Sequence, residues 1–219
     1  IKILNNGMEI KDVSNMSGDH AVATDTIAAE QIEIIRGPSA IVYGGGAVGG
    51  VINIIDHRIH SEYIGGLIGK YDQSFGGANN QTSSAISIDY GHNDNLMFHL
   101  DAYKRDSKNI SIPGFSVSER LAESDSEFAR DKYGKDTLIN SYNDTGGGSF
   151  GVSHILNDGY TGLAYTNHNV DYGNPLEDGA MIDLNSRKLN YVLEKNEISP
   201  LISKMKFKLG YSDYDHQEL

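Results

Sequence analysis

The sequence predicts a mainly β protein: a small α+β unit at the N-terminal end, then a run of antiparallel strands. Three observations carry this. Glycine supplies 25 of 219 residues, about 11% against an average near 7%, with 13 Tyr, no Trp and 4 Pro, a balance that favours strands and turns. From about Glu62 onward, apolar and polar residues alternate over long segments, the period-two signature of strands with two unlike faces. The links between those segments alternate too, tight on one side and long on the other.

The first 58 residues read as a unit of their own. Ile1 to Ile10 suits a strand, Thr24 to Glu30 is compatible with a helix, and Gln31 to Ile35 is a strand that ends at Arg36-Gly37-Pro38. A glycine-rich turn through Gly44-Gly45-Gly46 and Gly49-Gly50 leads to a further strand, Val51 to Ile55. Seven strands follow, at roughly 62–72, 83–92, 96–105, 148–155, 160–169, 183–193 and 203–214. Leu96, Phe98, Leu100 and Ala102 form an apolar row against Met97, His99, Asp101 and Tyr103; Met205, Phe207, Leu209 and Tyr211 oppose Lys204, Lys206, Lys208 and Gly210. Tight turns are expected at Asn93-Asp94-Asn95, at Asn157-Asp158-Gly159 and between Asn196 and Pro200, and longer polar loops at 74–82, 106–147 and 170–182.

Alternation alone also fits a soluble antiparallel sandwich. Two features favour lipid. Segments of about ten residues match a tilted membrane strand, whereas globular strands average about five or six. Tyr63, Tyr71, Tyr90, Tyr103, Tyr165 and Tyr211 fall near strand ends, where an interfacial girdle would hold them. Short turns on one rim and long loops on the other are the transmembrane-barrel arrangement.

Several classes are excluded. With 18 basic against 30 acidic side chains the formal charge is −12, and no Lys/Arg cluster offers a phosphate backbone a footprint. The absence of cysteine removes disulfides, thiolate metal sites and a Cys nucleophile. No apolar run is long enough for a transmembrane helix. The glycines lack a following Gly-Lys-Ser/Thr or dinucleotide spacing, and no nucleophile elbow is present, so an enzyme is not expected.

Glu30 to Gly44, with Glu33, Arg36, Gly37, Pro38 and the Tyr43-Gly44 step, followed by Gly49-Gly50-Val51-Ile52-Asn53-Ile54-Ile55, resembles the plug signature of TonB-dependent outer-membrane receptors. The resemblance implies an α+β plug domain over 1–58 and the first seven or so strands of an outer-membrane β-barrel over 59–219, a fragment of a barrel of roughly 22 strands. It further implies the TonB energy-transducing complex and outer-membrane lipid as partners, and no resident cofactor. Chemistry suits the motif: Gly37 and the Gly44–Gly46 cluster can take positive φ, Pro38 stiffens the turn, and Glu33 and Arg36 would sit at the boundary between plug and wall.

Val13 to Ala23, Lys104-Arg105 ahead of Ile112-Pro113-Gly114-Phe115, and Asp171 to Pro175 are similar to zinc-uptake receptors of the ZnuD type. In those receptors an Asp-His pair of the plug helps hold zinc, and Asp19 and His20 occupy that motif. A second candidate cluster joins Asp213, Asp215 and His216 to His168 and Asp171 on the long-loop side. Imidazole and carboxylate are proper zinc donors. Gly173 to Asp183 carries no histidine, which keeps haem or a ferric siderophore open as cargo. The reading is active uptake of a metal or metal complex, zinc first; the competing class is a secreted β-rich binding or adhesion module.

Overall fold

The computed structural model describes residues 1–10, 20–24, 26, 29–125, 128–175 and 179–219. The N-terminal part is a four-stranded sheet. β1 (Lys2–Asn5) and β2 (Met8–Glu9) form a hairpin, β4 (Val51–Asp56) runs parallel to β1, and β3 (Ala29–Ile35) closes the order β2-β1-β4-β3. Ile1 to Ile10 is thus two strands rather than one, because Asn6-Gly7, with φ of 51° and 77°, makes the tight turn such hairpins favour. The helix expected over Thr24 to Glu30 is not what its last residues adopt: Ala29 and Glu30 open β3. Leu4, Ala40, Ala47 and Val51 form a small buried cluster, with Ile35 and Tyr43 packed against it.

Between β3 and β4 the chain takes two 3-10 turns, Gly37–Tyr43 and Gly45–Ala47, the first begun by Pro38. Gly37 and Gly44, at φ of 72° and 90°, occupy the left-handed region that favours glycine.

The second part is one antiparallel sheet of seven strands in the order β13-β12-β11-β10-β7-β6-β5. These are β5 (Gly66–Gly76), β6 (Gln81–His92), β7 (Leu96–Ser107), β10 (Asn143–Leu156), β11 (Gly159–Gly173), β12 (Met181–Ser199) and β13 (Ile202–Glu218). Between β7 and β10 lie β8 (Ile110–Phe115), α1 (Glu119–Ser124), α2 (Arg130–Tyr133) and β9 (Lys135–Leu138), where β8 and β9 pair with each other. The tight turns lie on one rim as expected, Asn93 and Asp94 taking positive φ. The loops expected at 74–82 and 170–182 are shorter than predicted, because the ladders run on to Gly76↔Gln81 and Gly173↔Met181. In the described residues the long connection is the one between Ser107 and Asn143.

The polarity of the sheet is inverted relative to a soluble protein. One cross-strand row reads Ile88, Leu100, Phe150, Tyr165, Leu189 and Tyr211, and it faces outward, with Leu100 52%, Phe150 50% and Tyr211 67% exposed. The adjacent row, one residue along, reads Ser87, Asp101, Ser149, Thr166, Lys188 and Ser212 and faces the N-terminal unit. A sandwich would bury the first row and wet the second. Tyr71, Tyr90, Tyr165 and Tyr211 are on the outer face, but Tyr103 points inward and is buried, so it leaves the expected girdle. No described helix is long and apolar enough to cross a membrane.

Candidate functional site

Residues 20–24 pack on the inner face of the sheet. Ala23 is buried with Val170, Tyr172, Ile182 and Leu184, and Ala21 and Tyr214 pack around that cluster. Two hydrogen bonds hold the segment there: the Ala21 N–H donates to Tyr172 Oη at 3.0 Å, and Lys188 Nζ donates to the Ala23 carbonyl at 2.7 Å. This seats His20 beside the end of β13. Its Nε2 is 3.0 Å from Glu218 Oε1, and its ring centroid is 4.8 Å from that of His216. His216 Nε2 is 3.3 Å from the same Glu218 oxygen, and Tyr214 Oη lies 3.3 Å from His216 Nδ1.

Two imidazoles and one carboxylate therefore converge at the long-loop rim, a donor set suited to zinc or a similar cation. Glu218 was not expected, although the signal was present. The alternation that places Lys204, Lys206 and Lys208 on one face of β13 continues through Ser212, Tyr214 and His216 to Glu218.

The same alternation corrects the second cluster. Asp213 and Asp215 lie on the opposite, outer face of β13 and cannot share a ligand with His216. His168 also stands apart: buried on the inner face of β11, it meets the Tyr103 hydroxyl through Nδ1, while Asp171 points outward. Asp19 lies outside the described residues.

The plug-motif residues shape the N-terminal unit. Lys2 Nζ donates to the Tyr43 carbonyl at 2.9 Å, and Asn53 Nδ2 donates to Glu33 Oε2 at 2.8 Å. Glu33 thus bonds within the plug sheet and Arg36 is exposed, so the cation that reaches the wall is a different one. Arg58 Nε donates to Ser149 Oγ at 2.9 Å and Asp101 Oδ2 at 3.3 Å, while its Nη1 donates to Asp56 Oδ2 at 2.7 Å. The Ser149 hydroxyl donates to Asp101 as well. Two residues on, the His60 N–H donates to Ser153 Oγ at 2.8 Å. Arg58 and His60 are therefore stitched to the inner face of β10.

Residues 1–51 match the family described as TonB-dependent Receptor Plug Domain. The match supports a TonB-dependent receptor. Its place is the bacterial outer membrane, and the family consists of receptors and transporters rather than enzymes. The ferric enterobactin receptor of Pseudomonas aeruginosa is 55% identical over 38 residues, 17% of this chain and 5% of that protein. The iron-regulated outer membrane virulence protein of Vibrio cholerae is 48% identical over 40 residues, 18% of this chain and 6% of that protein. Among solved structures, the copper transporter OprC superposes with a TM-score of 0.74 at 16% identity, covering 99% of this chain and 30% of that one. The chain thus spans about a third of the length of that neighbour, and what it shares with it is the fold.

Proposed function

We propose that this chain supplies a plug over residues 1–58 and wall strands over 59–219 of a receptor that imports a metal cation or metal complex across the outer membrane, with a zinc-class cation as cargo. The TonB energy-transducing complex is the partner that would drive the plug. The observation that carries the reading is the convergence of His20 from the plug segment with His216 and Glu218 from β13 at the long-loop rim. That rim is the extracellular one in a membrane barrel, so cargo would meet these side chains first. Neutral imidazole and carboxylate oxygen favour zinc over harder cations, and water or a further side chain completes four-coordination.

The test is zinc titration of the full-length protein in detergent. Both His20→Ala and His216→Ala should weaken zinc binding at least about tenfold, the loss of about 1.4 kcal/mol or more. Unchanged affinity in both would overturn the assignment. A ferric siderophore is the second reading, favoured by the ferric enterobactin receptor among the relatives. It predicts uptake of labelled ferric catecholate that both variants leave intact.

A further inference from the structure

A second group of histidines lies toward the opposite rim, and the rim site has no part in it. Asp89 of β6 and His99 of β7 sit directly opposite each other in register on the inner face. His57 and His60 reach them from the segment that follows β4. Asp89 Oδ1 is 2.8 Å from His60 Nε2 and 2.7 Å from His99 Nδ1, and Asp89 Oδ2 is 3.5 Å from His57 Nε2. All four residues are buried.

The proton inventory of this group is unusual. His99 Nε2 is 2.8 Å from Asp101 Oδ2, so a neutral ring that donates there turns the lone pair of Nδ1 toward the Asp89 carboxylate. Two lone pairs at 2.7 Å repel, and either a second proton on the ring or a bound cation relieves them, but a second proton on His99 leaves His57 without a partner. His57 is buried, at 8% exposure, yet its Nε2 has only the long 3.5 Å approach to Asp89, its Nδ1 has no hydrogen-bond partner, and its ring stands edge-on to His99 at 4.8 Å. Leaving a buried polar group unsatisfied costs about 1–3 kcal/mol. The nearest donor atoms of His57, Asp89 and His99 all lie within 4.8 Å of one another.

We propose that His57, Asp89 and His99 form a metal site for a divalent transition cation of the zinc class, with His60 beside it as a further donor. A cation there meets the Nδ1 lone pair of His99, satisfies His57 and neutralises Asp89. Asp101 then serves as the outer carboxylate that orients His99, the usual partner of a metal-bound imidazole, and Arg58 and Ser149 hold Asp101 in turn. A cavity of about 390 Å³ lined by His57, Arg58 and His60 borders the group on one side. Because one ligand comes from the segment after β4 and two from adjacent strands of the seven-stranded sheet, the bound ion ties that segment to the sheet.

The experiment uses the full-length protein, stripped with chelator and titrated with Co²⁺ in a His216→Ala background that removes the rim site. The background protein should bind one Co²⁺ with visible ligand-field bands, and adding His57→Gln should weaken that binding by tenfold or more. Equal binding with and without His57→Gln would overturn the proposal while leaving the rim site untouched. If His57→Gln loses heat-modifiable migration and so does not fold, crystals of the unmutated protein soaked in Co²⁺ decide. An anomalous peak among His57, Asp89 and His99 upholds the site, and its absence overturns it.

Discussion

Arg58 brings one guanidinium to Asp56 of the plug and to Asp101 and Ser149 of the wall, and its neighbours set how that junction responds to acid. Burial alone would raise the Asp56 carboxyl, but Arg58 and the side-chain amides of Asn5 and Asn6 outweigh it and hold the group below its ordinary 3.8. The unfolded carboxyl takes its proton at the higher pH. The stabilisation from Asp56 is therefore complete above about 3.8 and fades as pH falls through the lower folded value. Protection against hydrogen exchange at residues 56–60 of the full-length protein, taken relative to the intrinsic rate at each pH, should hold from pH 7 to 5 and fall only below about 4. In Arg58→Ala protection should be low throughout, since removing one partner of a buried pair costs about 3–5 kcal/mol. Equal protection in the two proteins at pH 7 would show that Arg58 holds nothing there.

At the scale of elements, the segment from Arg58 to His60 needs a wall that lets backbone approach it, and β10 provides one. A Cβ on Gly151 would stand 1.9 Å from the Arg58 carbonyl, so the glycine between Ser149 and Ser153 is what brings both serines within reach. Gly151→Val should push the segment off the wall and raise its protease sensitivity between Asp56 and Ser61, while β10 itself, hydrogen-bonded on both edges, stays protected. Cleavage no faster than in the unmutated protein would rule this out. Gly151 is a residue whose role the sequence hid: opposite polar neighbours it reads as one more strand position, because what it accommodates lies almost a hundred residues earlier. The hairpins were legible, since Asn93-Asp94-Asn95 fixes the register of β6 on β7 and so sets Asp89 opposite His99. The loop-side ends of β5 and β6 were not. Gln73, Ser74 and Ser83 break the apolar alternation where strand faces meet water on both sides, and polar strand then looks like loop. His20 and His216 could be named as ligand candidates from residue type, but their meeting depends on how Ala23 packs on β11 and β12.

For the molecule as a whole, the two neighbouring rows of the sheet decide which solvent lies on which side. Ile88 to Tyr211 forms an apolar band left largely exposed by the described residues, while Ser87 to Ser212, one residue away, is polar and meets the plug. An apolar face of this extent is unfavourable in water and favourable in hydrocarbon, at about 25 cal/mol per Å² of apolar surface kept from water. Charge on that face distinguishes the two environments. Phe150 pairs with Leu100 and Tyr165 within the band, so Phe150→Arg in the full-length protein, refolded into bilayers, should lower stability by about 2–4 kcal/mol, the cost of a cation near the bilayer midplane. Thr166→Asn, on the inner row, should stay within about 0.5 kcal/mol. Urea unfolding read by tyrosine fluorescence and by loss of heat-modifiable migration measures both. A water-facing outer row would give the reverse order, because an exposed Phe replaced by Arg costs almost nothing in water. The pair thus tests directly whether lipid covers the outer row while the plug covers the inner one.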